Sequence, residues 1–76
     1  MFKEHDTVAL SSDLPADGLA AGDVGAIVHV YPNGLAIEVE FVTLTGKTIA
    51  VATLPVDAVR PVNEGEIAHV RQMAAK

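Results

Sequence analysis

The sequence predicts a mainly β domain, a small barrel of short strands that ends in a helix. Two glycine-containing turns, at residues 22–25 (Gly-Asp-Val-Gly) and 32–34 (Pro-Asn-Gly), frame a run rich in β-branched residues. Apolar residues then recur at every second position from Leu35 to Phe41. Short strands joined by tight turns, with a glycine at a bend, are typical of a small sheet that curls on itself.

The first strand is predicted from Asp6 to Leu10, where Val8 and Leu10 fall on one face. Residues 11–18 contain serine, aspartate, proline and glycine, which favour a long loop because they suit turn conformations. Leu14 and Leu19 are the apolar residues of this loop, and we expect both to fold back and cap the end of the barrel.

The second strand follows the turn at residues 22–25 and ends near Tyr31. Gly25 lies inside it, where a glycine marks a bulge, a bend or a close backbone approach. Alternate residues divide into two sets: Val24, Ala26, Val28 and Val30 on one face, and Gly25, Ile27, His29 and Tyr31 on the other. Because both faces are largely apolar, we expect this strand to curl through the barrel and pack on both sides.

The third strand has one apolar face and one wet face. Its inward residues are Leu35, Ile37, Val39 and Phe41. Glu38 and Glu40 point the other way, into solvent. Paired carboxylates can serve in acid–base catalysis when burial separates their pKa values, but nothing indicates burial here. We therefore interpret them as solvating residues that protect the sheet from unwanted pairing.

The remaining barrel elements are a fourth strand over residues 47–54, a 3₁₀ connection over 55–58 and a short last strand over 59–62. Pro61 restricts that last strand to an edge or closing position. Five short strands, a long first loop and a 3₁₀ break before the fifth strand predict an SH3-like barrel. We assign this barrel to residues 1–62.

Residues 63–76 change to helical spacing and form the predicted C-terminal helix or tail. Asn63 suits a helix N-cap, and Ile67, Val70 and Ala74 follow at i, i+3 and i+7. Such a short helix is marginal alone, so we expect it to dock. Its apolar stripe, with Met73 beside it, packs either on its own barrel, which we favour, or on another chain.

Charge and composition narrow the class of function. The formal net charge is −5, and an acidic surface repels the phosphate backbone of nucleic acids. The chain has no cysteine, so a disulfide or a thiolate zinc site is not available. Charged residues occupy the N-terminus where a signal peptide needs an apolar stretch, and no apolar run is long enough to span a bilayer. We therefore expect a cytoplasmic protein that does not enter membranes.

A series of short motifs resembles a small bacterial family. The motifs are DTV at 6–8, DLP at 13–15, GL at 18–19, GDVG at 22–25, VHVY at 28–31, EVEFV at 38–42, GKT at 46–48 and VRP at 59–61. That family is catalogued as a domain of unknown function, and the resemblance implies an SH3-like fold with no established activity. More distantly, the chain is similar to the barrel of the nitrile hydratase β subunit and its small accessory proteins, and to ribosomal and transcription-factor barrels.

No constellation of residues in the sequence indicates catalysis. The three histidines His5, His29 and His69 lie in different elements without the spacing of a metal site, so we predict no metal and no cofactor. The Gly-Asp-Val-Gly turn opens a strand and carries an aspartate, unlike a phosphate-binding loop, which opens a helix and usually has a lysine. We expect a protein that is not an enzyme.

The favoured function is a non-enzymatic protein-interaction or accessory module, with homo-oligomerisation as an additional prospect. The alternatives are a nucleic-acid-binding barrel of the ribosomal type, which the acidic charge argues against, and an accessory subunit resembling part of nitrile hydratase. Proline-rich peptides need an aromatic-lined groove that this chain lacks. The candidate partner-binding residues are His29, Tyr31, Leu14, Leu19, Ile67, Val70 and Met73.

Overall fold

A computed structural model describes residues 2–73, which form one antiparallel sheet of five strands. The strands are β1 (Thr7–Leu10), β2 (Val24–Val30), β3 (Ala36–Val42), β4 (Thr48–Pro55) and β5 (Val59–Pro61), with 3₁₀ turns at Pro15–Asp17 and Val56–Ala58. The bounds of β1, β3, β4 and β5 differ from the predicted ones by no more than one residue, while β2 begins at Val24, inside the predicted turn at residues 22–25. The spatial order is β4-β3-β2-β1-β5.

The predicted closed SH3-like barrel is wrong, because the sheet is open. β4 and β5 lie at opposite edges of it, and no ladder joins them within residues 2–73. β5 is only three residues long and pairs with β1 alone, from Val59 opposite Leu10 to Pro61 opposite Val8. The Ser11 N–H bonds the Ala58 carbonyl in this ladder, so Pro61 is at a non-bonded position and its missing N–H lies on the side away from β1. β5 thus ends the sheet on one side, and β4 ends it on the other.

The predicted C-terminal helix is also wrong, since residues 62–72 contain no helix. Gly65 has a φ of +90°, which is incompatible with a right-handed helix, and the N–H of Glu66 closes a turn onto the carbonyl of Asn63 at 3.2 Å. The Glu66 carboxylate is held by Arg60. A short helix cannot recover its nucleation cost against these contacts. Ala74, the third residue of the predicted stripe, lies outside the described residues.

The core is built on the apolar face of the sheet. The strand residues buried there are Val8, Leu10, Ile27, Ile37, Val39, Phe41, Leu54 and Val59, and Leu19 joins them from the long loop. The inward residues of the third strand were predicted correctly except for Leu35, which is 66% exposed. Leu35 precedes β3, directly after the turn at residues 32–34, and therefore does not follow the alternation of the strand.

A β-bulge changes the facing of β2 part-way along the strand. Ile27 pairs with Val39 and His29 pairs with Glu38, so Val28 is the extra residue. Ile27 is buried and Val30 packs against the core, although the two lie three positions apart. The prediction that Val28 and Val30 share one face of a regular strand is therefore wrong.

Gly25 allows β2 and β3 to approach closely. A Cβ atom at this position would lie 2.6 Å from Val39 Cγ1 and 2.9 Å from both the Glu40 carbonyl oxygen and Phe41 Cδ1. These distances are far inside van der Waals contact, so a glycine is needed for steric reasons. Of the bulge, bend or close backbone approach that the sequence indicates at Gly25, the close approach is present.

Candidate functional site

The tail, residues 62–73, returns across one end of the sheet and is attached there by Arg71. Its guanidinium binds both carboxylate oxygens of Asp23, with Nε 2.9 Å from Oδ1, and donates a further bond of 3.1 Å to the Gly18 carbonyl. Met73 lies next to Gly18. Two turns of the long first loop thus hold the far end of the tail.

Asp23 is prepared for this ion pair by the turn it occupies. Its Oδ2 accepts the backbone N–H of Ala20 at 2.9 Å, and this bond orients the carboxylate independently of the arginine. The Arg71 guanidinium lowers the pKa of Asp23 below its ordinary value, and the Ala20 hydrogen bond acts in the same direction against partial burial. The pKa of Arg71 is raised in turn. The pair is therefore fully ionised at neutral pH.

A second ion pair shapes the start of the tail. Arg60 of β5 donates from both terminal nitrogens to Glu66, at 2.9 and 2.8 Å, and Glu66 also accepts the Asn63 N–H. Arg60 lowers the pKa of Glu66, with the Asn63 hydrogen bond adding to the effect. Both arginines of the chain are therefore engaged by carboxylates, which weakens any phosphate-binding surface.

Between the tail and the end of the sheet lies an open groove of about 640 Å³, which we call the tail groove. Its walls are residues 19–24, the β3–β4 turn at 41–45, Ile49 and tail residues 67–73. The floor includes Leu19 and Phe41, both part of the buried core. The groove is therefore continuous with the core of the domain.

The tail groove collects exposed apolar side chains. Leu44 is 81% exposed, Ile67 is 93% exposed and Val70 is 72% exposed, and all three line it. Val24 and Val42, also exposed, line it from β2 and β3. Contiguous exposed apolar surface of this kind marks sites that bind other proteins or ligands. The arrangement is suited to binding an apolar segment.

Four of the seven predicted partner-binding residues meet in this groove: Leu19, Ile67, Val70 and Met73. Leu14 does not line it. Instead, Leu14 and Leu19 exchange two backbone hydrogen bonds, of 2.9 and 3.1 Å, that clamp the base of the loop between them. Leu19 is buried and Leu14 packs against the core, so both fold back as expected.

His29 and Tyr31 lie elsewhere. Their rings form an edge-to-face pair with centroids 4.7 Å apart and an interplanar angle of 83°. Tyr31 lines a second groove, of about 570 Å³, together with Phe2, Val30 and the residues of the turn that follows it. His29 lines neither groove.

No metal site is found among residues 2–73, where no group of three or more histidine, cysteine, aspartate or glutamate side chains converges. Glu38 and Glu40 are partly exposed, and Glu40 accepts a hydrogen bond of 2.9 Å from the Thr48 hydroxyl of β4. Glu40 thus takes part in a cross-strand contact. Nowhere in the described part of the chain does a helix have the length and apolarity needed to cross a membrane.

Sequence reasoning did not find Arg71, Asp23 and Leu44 as parts of this site. Arg71 and Asp23 are 48 residues apart, and no local pattern links them. Leu44 could have been noticed, because it is an apolar residue between two threonines in a tight turn, where polar residues are usual. An apolar residue at such a tip is a signal for binding.

Comparison with known families identifies the chain. Residues 4–61 match the model of a domain of unknown function, DUF4926. The protein belongs to this family. No curated protein and no solved structure matches it. Family membership assigns no activity, and the likeness to the nitrile hydratase β subunit stays a prediction. The match ends at Pro61, the last residue of β5, and includes none of the tail that forms one wall of the groove.

Proposed function

We propose that this member of the DUF4926 family is a non-enzymatic module that binds another protein through the tail groove. The observation that carries the proposal is the convergence of Leu44, Ile67 and Val70, all highly exposed, on one groove that is continuous with the core. Burying such a side chain contributes about 1.5–3 kcal/mol. Two or three of them would supply most of the affinity of a weak, specific complex.

The partner is a protein segment with apolar side chains flanked by lysine or arginine. The apolar side chains would enter the groove, while the flanking cations would meet a chain whose formal net charge is −5. The proposed setting is a bacterial cytoplasm, which the family resemblance and the acidic composition favour. The same charge, and the pairing of both arginines with carboxylates, argue against nucleic acid as the ligand.

The test compares two matched variants, Leu44→Asp in the groove and Leu35→Asp outside it. Both leucines are exposed, at 81% and 66%, and both flank β3. Peptides would be selected from a random displayed library and then titrated into isotope-labelled protein. We expect selection of apolar peptides with basic flanks, and shifts of the Leu44, Ile67 and Val70 methyl resonances. Leu44→Asp should weaken binding about tenfold or more, whereas Leu35→Asp should bind like the wild type.

Two results would contradict the proposal. One is a selected peptide that binds Leu44→Asp and wild type equally, which would place binding on another surface. The other is a salt-dependent gel shift with RNA or DNA in the absence of any peptide binding, which would favour the nucleic-acid alternative. If a metalloenzyme subunit binds the wild type and does not bind Leu44→Asp, the groove belongs to an accessory subunit, the other proposed alternative.

A further inference from the structure

The outer edge of β4 carries unpaired backbone groups whose positions follow from one hydrogen bond. The Val56 N–H donates to the Leu35 carbonyl at 3.1 Å, which makes 35/56 a hydrogen-bonded pair of the β3–β4 ladder. Bonded and non-bonded pairs alternate in an antiparallel ladder. Val51 and Thr53, opposite Glu40 and Glu38, are therefore in non-bonded pairs, and their N–H and C=O groups point away from β3.

Pro55 fits the same alternation of bonded and non-bonded pairs. It lies opposite Ala36, which is also a non-bonded position, so its missing N–H removes no bond to β3. The outward side of β4 therefore offers donors and acceptors at Val51 and Thr53, and an acceptor at Pro55. β4 has eight residues, and its part from Ala50 to Pro55, beyond the bulge at Ile49, is long enough to accept another strand.

Between Ala50 and Leu54 this edge has little of the usual protection against pairing. No charged residue occurs between Thr48 and Val56, in a chain with ten acidic and five basic residues. Native edges are normally protected by charges, proline, bulges or short length. The opposite edge has such protection, because β5 is three residues long and contains Arg60 and Pro61. β4 has one proline, at its end, and one bulge, at Ile49 near its start.

We propose that β4 pairs with β4 of a second copy of this chain, antiparallel, about a two-fold axis at Ala52. Val51 then faces Thr53 of the partner copy, and Thr53 faces its Val51, so the outward groups form about four hydrogen bonds across the axis. A two-fold interface must be self-complementary, and this edge is, because no charges meet in it. The result is one continuous sheet across both copies.

The second copy is an occupant that matches this edge with the same uncharged strand, and charge does not oppose the pairing. Each copy has a net charge of −5, so association requires a surface on which acidic groups stay apart. Across a paired β4 edge, the nearest acidic strand residues, Glu38 and Glu40 of β3, would be three strand spacings from those of the other copy, about 14 Å. That exceeds the Debye length of about 8 Å at physiological salt, so their repulsion is largely screened.

A single strand pair gives a small interface, so a weak dimer is expected. Standard stable interfaces bury about 1,600 Å², more than one edge pairing supplies. We expect a dissociation constant on the order of 100 µM, measurable by sedimentation velocity between about 10 µM and 1 mM. Amide hydrogen exchange adds a local test, since the Val51 and Thr53 amides should exchange slowly at high concentration and quickly at low concentration.

Two variants remove the pairing without disturbing β3. Val51→Lys places a charge on the edge at a side chain that is 54% exposed, and Thr53→Pro removes an outward N–H. Val28→Lys is the matched control, because Val28 is a similarly exposed valine, at 42%, on the interior strand β2. We expect about tenfold weaker dimerisation in both edge variants, an unchanged dissociation constant in Val28→Lys, and native circular dichroism in all three.

The proposal is overturned if the wild type stays monomeric up to about 1 mM, or if Val51 and Thr53 exchange fast at that concentration. It is also overturned if both edge variants, folded by circular dichroism, dimerise like the wild type. Leu44→Asp should leave the dimer intact, because Leu44 belongs to the tail groove. Failure of the edge proposal and failure of the groove proposal are therefore distinguished by different variants.

Discussion

Replacing Gly25 by alanine tests whether the close approach of β2 and β3 depends on the missing side chain. The added Cβ would lie 2.6 Å from Val39 Cγ1 and 2.9 Å from the Glu40 carbonyl oxygen. Val39 is fully buried, and the carbonyl belongs to the β2–β3 ladder, so neither can move away cheaply. Gly25 is the glycine of this chain whose φ lies outside the left-handed region, so the expected cost is steric.

The magnitude follows from two opposing effects. Overpacking a well-filled core costs about 1–3 kcal/mol, and at these distances the upper part of that range applies. Replacing a glycine also restricts the unfolded chain, which returns about 0.4–1 kcal/mol. We expect a net loss of about 2 kcal/mol in the free energy of unfolding, or a decrease in Tm of roughly 8–16 °C. This is a large share of the roughly 4–11 kcal/mol expected for a domain of this size.

The assay is urea unfolding followed by far-UV circular dichroism, with the double variant Gly25→Ala/Val39→Ala as the control. Val39→Ala alone should cost about 2 kcal/mol by leaving a cavity. In the double variant the shortest contact is gone. The stability losses of the two single variants should therefore sum to at least about 1 kcal/mol more than the loss measured for the double variant. Stability of Gly25→Ala within about 0.5 kcal/mol of wild type, or full additivity, would refute the steric argument.

Two further predictions concern a turn and the attachment of the tail. Gly46 has a φ of +95° with open space around it, so Gly46→Ala should lower the free energy of unfolding by about 1 kcal/mol through conformational strain alone. Gly46→Asn should lower it less, as measured by thermal unfolding. Equal losses in the two variants would contradict this. Arg71 holds the pKa of Asp23 below its ordinary value, so the attachment is complete above a pH of about 4 and is lost as the pH falls through that lowered pKa. The Met73 methyl resonance should report this titration. The variant Asp23→Asn keeps an acceptor for the Ala20 N–H, and it should show the detached tail already at neutral pH. An unchanged Met73 resonance in Asp23→Asn would show that the ion pair does not hold the tail.

Much of the sheet could be predicted because its signals are local. The alternation along β3 predicts its buried residues Ile37, Val39 and Phe41, and the turn glycines predict where each strand ends. The facing of β2 could not be predicted past Ile27, because one extra residue at Val28 reverses the alternation and leaves no mark in the sequence.

The errors arise where other contacts override or complete a local pattern. Helical spacing in the tail is a local preference, and it is overridden by the turn at Gly65 and by ion pairs from Glu66 to Arg60 and from Arg71 to Asp23. Closure of the sheet depends on which strands meet at its edges, which alternation does not specify. For the site, apolar spacing predicted Ile67 and Val70, while Asp23 required the folded structure.

The clamp between Leu14 and Leu19 fixes both ends of the loop that carries the exposed tip at Pro15–Asp17. Two backbone hydrogen bonds close its base, and its three residues are exposed. Lengthening a loop with a fixed base costs little, about 0.6 kcal/mol for each doubling of its length. A fluorophore-binding peptide or an affinity tag could therefore be grafted between Pro15 and Asp17, close to the tail groove, to report on occupancy while the sheet stays intact.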